Sequence, residues 1–255
     1  MRKNLLLGLV CCLLGTTNSL AEGYPGQIRG GLELRYEHRN RQSQQITGYS
    51  ELTYHQDDRG RLIERLKNRK PDGEVFQEKE SLFSAGAVQL LEYRETDYRR
   101  DWHILDRFNG GKISSQISLG GQKMEFIQAQ EVGMVIFEEL TLYLQKHLNE
   151  LTREPLRFTL YLPQLAFDLK KNNLPQSMAR LAVEARVEKQ FKEQTPLGEA
   201  ELIEILVKPT NPLLLALMPA EKISFHFTYF SKAPQYLYRF SEAQTESSLA
   251  QVKLP

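Results

Sequence analysis

The alternation of apolar and polar residues changes its period near the middle of this chain. From Met134 to Leu151 apolar residues recur every three or four positions, which predicts an amphipathic helix. Its apolar stripe consists of Phe137, Leu140, Leu144, Leu148 and Leu151. From Leu156 to Leu162 the period becomes two, as a half-buried strand requires. We expect the helix stripe and the strand face to bury each other.

Most of the remaining chain has the period of short strands separated by turn residues. The Asn109–Gly111 and Gly120–Gly121 segments predict tight hairpin turns, because glycine adopts the backbone angles that such turns need. Further strands, including one over Leu165–Leu169, are expected after the helix. Leu213–Met218 is too short for a stable independent helix and predicts a single buried turn.

Together these elements predict a mainly β (α+β) fold. We expect a large curved antiparallel sheet of about twelve strands, with a half-barrel as one form, wrapped around one amphipathic helix. A single domain is predicted for residues 22–240, with a weak boundary at Gln128–Val132. Residues 241–255 are polar and lose the period, which predicts a disordered tail.

Residues 1–21 have the pattern of a secretory signal peptide. A short basic start precedes an apolar run from Leu5 to Leu14, and Ser19 and Ala21 are small residues at the positions that a signal peptidase reads. The apolar run is far shorter than the roughly 20 residues of a transmembrane helix. We therefore expect an exported protein, located in the periplasm, with no transmembrane span in the mature chain.

Both cysteines, Cys11 and Cys12, lie within this segment. Lipidation of one of them is the alternative to simple cleavage, although neither follows the small residue that lipidation favours. After cleavage the chain would have no disulfide or thiol chemistry. Removing Arg2 and Lys3 from the 33 basic residues leaves 31 against 32 acidic residues. This balance argues against a general nucleic-acid binder, whose affinity comes mainly from phosphate neutralisation.

Four packing motifs follow one another in a particular order between Phe137 and Phe240. They are the helix end Leu148-Asn149-Glu150-Leu151, the segment Glu154–Phe158 entering Leu160–Pro163, the leucine-rich Leu213–Pro219 and the aromatic hairpin ending Tyr236–Phe240. In this order they resemble a group of uncharacterised exported bacterial proteins, akin to the DUF3108-type domains. The resemblance covers somewhat less than half of the chain. It implies a β-rich fold and an exported location, and it carries no active site.

Recognisable catalytic and cofactor motifs are missing from the sequence. There is no His-Glu-x-x-His, no Gly-x-Ser-x-Gly and no phosphate loop. Glu138 and Glu139 are expected on the solvated face of the helix. The histidines are scattered over different elements, which favours surface or hydrogen-bonded roles: His38, His55, His103, His147 and His226. We therefore expect a protein that is not an enzyme and has no catalytic residues, metal or cofactor.

Two stretches combine arginine or lysine with possible binding roles. The first is a basic hairpin with Arg59, Arg61, Arg65, Lys67, Arg69 and Lys70. The second is a candidate partner surface with Arg99, Arg100 and Trp102, the only tryptophan. Either could contact phosphate or carboxylate groups of lipids or polysaccharide. For the hairpin, a solvated sheet face with cross-strand ion pairs is the favoured interpretation, because acidic residues interleave with the basic ones.

Aromatic residues near the C-terminus form the other candidate site. With Leu213–Met218 they could line an apolar groove between sheet and helix, and we name Phe225, Phe227, Tyr236 and Tyr238 as its binding residues. The alternative is that these rings fill the core. Three functions stay open. They are an exported envelope protein binding a lipid-like ligand, an assembly factor contacting another envelope protein, and an enzyme with an unrecognised site.

Overall fold

The computed structural model describes residues 31–85, 89–211, 223–233 and 235–254. The predicted signal segment at 1–21 and the predicted turn at Leu213–Met218 lie outside these residues. Within the described part the fold is mainly β, as predicted.

In the part of the chain that the structure describes, fifteen strands form an open, largely antiparallel sheet, and the short β9 runs parallel to β10. The strands are β1 (Glu33–Asn40), β2 (Ile46–Gln56), β3 (Leu62–Arg69), β4 (Val75–Phe83), β5 (Leu90–Asp97), β6 (Trp102–Asn109), β7 (Lys112–Leu119), β8 (Gln122–Ala129), β9 (Met134–Ile136), β10 (Leu156–Tyr161), β11 (Arg180–Thr195), β12 (Gly198–Pro209), β13 (Phe225–Phe230), β14 (Leu237–Ser241) and β15 (Thr245–Lys253). Their order is β8-β7-β6-β5-β4-β3-β2-β1-β15-β14-β13-β12-β11-β10-β9. The large antiparallel sheet is thereby confirmed, and it is not a closed barrel.

The chain divides into two compact units. The first, the meander unit, contains residues 45–132 with flanking segments up to Arg39 and from Leu249 onward. The second, the helix unit, contains residues 133–248 together with Asn40–Gln44. The chain passes between them at Val132–Gly133, next to the weak boundary that the sequence indicated within the predicted single domain.

The meander unit consists of consecutive hairpins from β1 to β8. Gly110 and Gly111 connect β6 to β7 with φ of 58° and 74°, and Gly120 and Gly121 connect β7 to β8 with φ of 55° and 79°. Positive φ at both central residues defines the tight turn that matches strand twist. Both predicted glycine turns are therefore confirmed.

Side chains in most strands of the meander unit alternate between a buried face and a more exposed face. Strand β3, for example, has the pattern of alternate buried and exposed residues from Leu62 to Arg69. The exposed face carries most of the charged residues. The buried face mixes aromatic and aliphatic residues with polar ones, such as Glu64 and Asn68 on the same strand.

In its described residues, the helix unit is built on β9 to β14 and three short α-helices. These are α1 (Leu140–Lys146), α2 (Leu148–Leu151) and α3 (Pro163–Lys171), with 3-10 turns at Phe137–Glu139 and Gln176–Ala179. The predicted apolar stripe is confirmed, since all five of its residues lie in one core cluster with side chains of β10 to β14.

Two secondary-structure predictions are wrong. The helix does not begin at Met134, because Met134–Ile136 forms β9, which pairs with Thr159–Tyr161 in parallel. All three residues of β9 are buried, so they lack the one-sided pattern of a surface helix. Leu165–Leu169 is not a strand but part of α3. Pro163 at the first helical position favours this helix, which also buries Ala166 between the alternating residues.

The C-terminal tail is ordered rather than disordered. Residues 245–253 form β15, which pairs with β14 through Arg239–Ser248, Phe240–Ser247 and Ser241–Glu246. Ser247 and Leu249 are buried. Because only two residues of this strand are buried, its alternation of buried and exposed positions is too weak to recognise in the sequence.

Candidate functional site

A groove on the exposed face of the meander unit gathers basic residues from three strands, β1, β3 and β15. It has a volume of about 440 Å³. Its charged lining consists of Arg35, Arg65, Lys67, Arg69 and Lys253 with Glu33 and Glu51. We call this site the basic groove. The lining has a surplus of three positive charges, so the groove suits an anionic group.

Strand periodicity places these side chains together. Arg65, Lys67 and Arg69 alternate on β3 with Glu64, Leu66 and Asn68, which are buried. In register, Arg35 of β1 lies opposite Glu51 of β2, and Glu51 lies opposite Lys67 of β3. Lys253 joins from β15. The basic hairpin predicted from the sequence therefore supplies three of the five cations.

Four of the five cations form surface ion pairs. Arg69 Nε lies 2.9 Å from Glu51 Oε2, and Lys253 Nζ lies 3.1 Å from Glu33 Oε1. Arg65 and Lys67 pair with carboxylates of β4, Glu80 at 2.8 Å and Glu78 at 3.1 Å. The predicted face of cross-strand ion pairs is thus observed. Pairs this exposed contribute only about 0–1 kcal/mol each, so a ligand anion can exchange with them.

Arg35 is the exception in the basic groove. Its guanidinium carbon lies 4.7 Å from the centre of the Tyr49 ring, a cation–π contact that fixes the side chain. The carboxylate opposite Arg35, Glu51, is already bonded to Arg69. Within the described part of the chain, Arg35 has no ion pair. Its planar array of N–H donors can therefore bind a carboxylate or phosphate in bidentate fashion.

The predicted partner surface does not form one face. Trp102 is 6% exposed and points into the meander unit. The guanidinium carbon of Arg99 lies 3.8 Å from the centre of the Phe76 ring, and Arg99 Nη2 lies 3.0 Å from Asp97 Oδ2. Arg100 Nε lies 3.8 Å from the same oxygen. Asp97 is buried, so the two arginines neutralise an internal charge. The three residues therefore do not combine into a single exposed patch.

The four aromatic residues of the predicted apolar groove are all buried. Phe225 and Phe227 belong to the core cluster that contains the helix stripe, with Phe225 6.2 Å from Phe137 between ring centres. Tyr238 instead packs against Phe230 at 5.7 Å and donates a hydrogen bond to Glu193. Tyr236 lies outside that core cluster. These contacts favour the core interpretation of the aromatic residues.

A chain of buried polar side chains crosses β1 to β5 inside the meander unit. Donation runs in one direction, from His38 through Ser50 and Asn68 to Gln77, and Gln77 donates to Glu95 at 2.8 Å. Tyr93 donates to the other oxygen of Glu95 at 2.6 Å. Since Ser50 donates its only hydroxyl proton to Asn68, His38 Nε2 must carry a proton. Burial lowers the pKa of His38 to about 3, so the ring is neutral.

A second buried set, the inner polar row, runs across β3 to β7. Its members face one another in register: Glu64, Ser81, Tyr93, Asp106 and Ser115. Glu64 Oε2 and the Ser81 hydroxyl lack a hydrogen-bond partner among the described residues, whereas the Ser115 hydroxyl faces Asp106 and acts to lower the pKa of that carboxyl. Burial raises the pKa of Asp106 to about 7 and also raises the pKa of Glu64. These acids therefore keep protons at pH values where exposed carboxyls have lost them.

The sequence contained a signal for these internal residues that composition alone does not reveal. Asp106 has the same parity as Ile104 and Phe108, and Glu64 has the same parity as Leu62 and Leu66. A polar residue that shares the parity of apolar neighbours on both sides points toward the core. Because acidic residues usually lie on the exposed face of a sheet, the inward direction of Asp106 and Glu64 was not predicted.

The histidines differ in their surroundings more than their scattering suggested. His38 is buried in the polar chain, whereas His103 and His147 form exposed contacts with Asp101 and Glu150. His226 lies with two carboxylates in the helix unit, a grouping that sequence spacing did not predict.

No protein-family model matches the chain, and no curated protein matches it. The resemblance to DUF3108-type domains is therefore not confirmed.

Two solved structures align with the chain over most of their length. One, from Parabacteroides distasonis, is described provisionally as a lipoprotein, with a TM-score of 0.37, 8% identity, and coverage of 89% of this chain and 96% of that one. The other, from Bacteroides fragilis, is described provisionally as an exported protein with a YmcC-like fold, with a TM-score of 0.38, 9% identity, and coverage of 88% and 96%. At these values the likeness does not define a shared fold or function. Among the described residues, no helix has the length and apolar character needed to cross a bilayer.

Proposed function

We propose that this chain is an exported, non-catalytic protein of a bacterial envelope, and that its basic groove binds a carboxylate or phosphate group of another envelope component. The observation that carries this proposal is Arg35, a cation with no ion pair among the described residues, in a groove with a surplus of positive charge. Export is supported by the signal-type pattern of residues 1–21.

The electrostatics of the basic groove suit exchangeable binding. The carboxylates that pair with its cations are themselves exposed, as in the Arg65–Glu80 pair, where the side chains are 52% and 38% exposed. An incoming anion can take the place of Glu80 or Glu51 at little cost, because exposed ion pairs are weak. Arginine and lysine together recognise acidic groups on a lipid surface or on an acidic polysaccharide by the same chemistry.

A lipid-like molecule held between sheet and helix has less support. Phe225 and Phe227 already contact other core side chains, with Phe227 5.0 Å from Phe240 between ring centres. A ligand there would have to displace packed aromatic rings, which is costly in a dense core. Our proposal for the ligand therefore concerns the exposed groove.

Binding can be tested with the purified protein and four probes. These are phosphatidylglycerol-containing vesicles, pure phosphatidylcholine vesicles, a short galacturonate oligomer and inorganic phosphate. We expect one of the anionic probes to bind, and its affinity to fall as salt is raised from low to high concentration. Preference for the vesicles or for the oligomer identifies a lipid or a polysaccharide source. Binding to none of the anionic probes would overturn the proposal.

The variant Arg35→Ala is expected to weaken binding of the preferred probe about tenfold, because it removes a charge-assisted contact. The matched control is Arg107→Ala, which removes the same charge from the exposed face of β6, outside the groove. Equal weakening by both variants would mean that net charge, and not the groove, attracts the anion. Turnover of ester, phosphate or glycan substrates would contradict the non-catalytic part of the proposal.

A further inference from the structure

Three ligand-type side chains come together on neighbouring strands of the helix unit. Glu188 lies on β11, Glu204 on β12 and His226 on β13. Their nearest ligand atoms all lie within 4.8 Å of one another. Among the described residues, this is the one group of three histidine or acidic side chains whose ligand atoms lie this close together.

A β-bulge places Glu188 in the group. Val187 pairs with Ile205, and Lys189 pairs with Glu204, so Glu188 is an extra residue that has no partner in the strand register. A bulge changes the direction of a side chain relative to the regular alternation. Without it, Glu188 would have a register partner of its own and a different position relative to Glu204.

The distances suit a small divalent cation. His226 Nδ1 lies 3.1 Å from Glu188 Oε2 and 3.5 Å from Glu204 Oε1. Ligand atoms bound to a tetrahedral zinc ion at about 2.0–2.1 Å are about 3.3 Å from one another. Zinc also accepts this combination of one imidazole nitrogen and two carboxylate oxygens.

The surroundings leave the group accessible and partly oriented. The side chains of Glu188 and His226 are 38% and 28% exposed, so an ion can reach them from solvent. Thr228 Oγ1 lies 3.5 Å from the second oxygen of Glu204, in the position of an outer partner that orients a ligand. Lys189 Nζ lies 3.3 Å from Glu204 Oε1 and opposes a cation by its charge.

We infer that Glu188, Glu204 and His226 form a binding site for a zinc-type divalent cation, with the remaining coordination position open to water or to a group from a partner. This site is separate from the basic groove, and its success or failure does not depend on the proposed function. Ion binding here would connect three adjacent strands of the helix unit.

The test is titration of the metal-free protein with zinc alone by calorimetry, followed by cobalt substitution. We expect one zinc ion per chain and the visible absorption of tetrahedral cobalt. The variant His226→Ala should weaken zinc binding at least tenfold, and Glu188→Gln, an exposed change on the bulge that should preserve folding, should also weaken it. Lys189→Gln should strengthen binding, because it removes the opposing charge.

The matched control is His147→Ala in the same unit. His147 Nδ1 contacts a single carboxylate, that of Glu150 at 2.8 Å, and therefore offers one ligand fewer. This variant should bind zinc like the wild type. Absence of zinc binding in the wild type, or unchanged binding in both His226→Ala and Glu188→Gln, would overturn the inference.

Discussion

At the scale of single residues, Asp106 is the clearest departure from what a sheet interior usually contains. It is fully buried, and the hydroxyl of Ser115, opposite it in register, favours the charged carboxylate but is outweighed by the effect of burial. Burial raises its pKa from 3.8 to about 7, and the neighbouring charge of Glu95 acts in the same direction. The folded state therefore holds this proton more tightly than the unfolded state does.

The sign of the resulting pH effect follows from linkage. Stability contributed by the protonated form is fully present below pH 4 and is lost as the pH rises to about 7. The increase of this pKa from 3.8 to about 7 corresponds to at most about 4 kcal/mol of free energy of unfolding. We expect Asp106→Asn to be more stable than the wild type at pH 8 and about equally stable at pH 4, measured by urea unfolding at both values. A constant difference at the two pH values would contradict the assignment.

Residue identity also explains why the site was only partly predictable. The alternation in Arg65, Lys67 and Arg69 was enough to predict a basic, exposed strand face. Arg35 and Lys253 could not be assigned to it, because their place depends on the pairing of strands far apart in sequence. The inner polar row was missed since charge was taken as a sign of exposure, whereas parity with apolar neighbours decides the direction of a strand side chain.

At the scale of elements, β15 is the main difference between expectation and structure. Composition predicted disorder because Thr245–Lys253 contains few apolar residues. Pairing with an existing strand supplies backbone hydrogen bonds to a segment that could not form a strand alone. Helix α3 shows a different error, because its residues Leu165–Leu169 were predicted as a strand. A short alternating run can also belong to a helix, and Pro163 at its start favours the helix.

A substitution at Leu249 tests whether β15 is an integral strand. This side chain is 3% exposed, so Leu249→Ala should reduce the free energy of unfolding by about 2–4 kcal/mol. The control Gln251→Ala, at an exposed position of the same strand, should change it by less than about 0.5 kcal/mol. Equal and small effects of both changes, in chemical unfolding, would show that the segment behaves as a tail.

At the scale of the whole molecule, the buried titratable groups predict the direction of its pH stability. Burial raises the pKa of Glu64, of Asp106 to about 7 and of Glu242 to about 8. Each of these acids makes the protein less stable as the pH rises toward its folded pKa. The lowered pKa of His38, about 3, acts in the opposite direction, and its effect is complete once the pH exceeds the ordinary value of 6.5.

Three acids outweigh one histidine between pH 5 and pH 8. We therefore expect a higher midpoint of thermal unfolding at pH 5 than at pH 8, measured by circular dichroism at constant ionic strength. The variant Glu242→Gln should reduce this difference, because it removes one of the three acids. A midpoint that rises from pH 5 to pH 8 would show that the buried acids are not protonated in the folded protein.

The ion pair between Lys253 and Glu33 joins residues 220 positions apart. A ribosome makes the chain from its N-terminus, so Glu33 and Arg35 are synthesised long before their neighbour on β15 exists. The groove is consequently complete only after β15 has been synthesised, and an unfinished polypeptide lacks the cation that Lys253 contributes. Any molecule that the groove recognises would thus meet a complete site only after synthesis has passed residue 253.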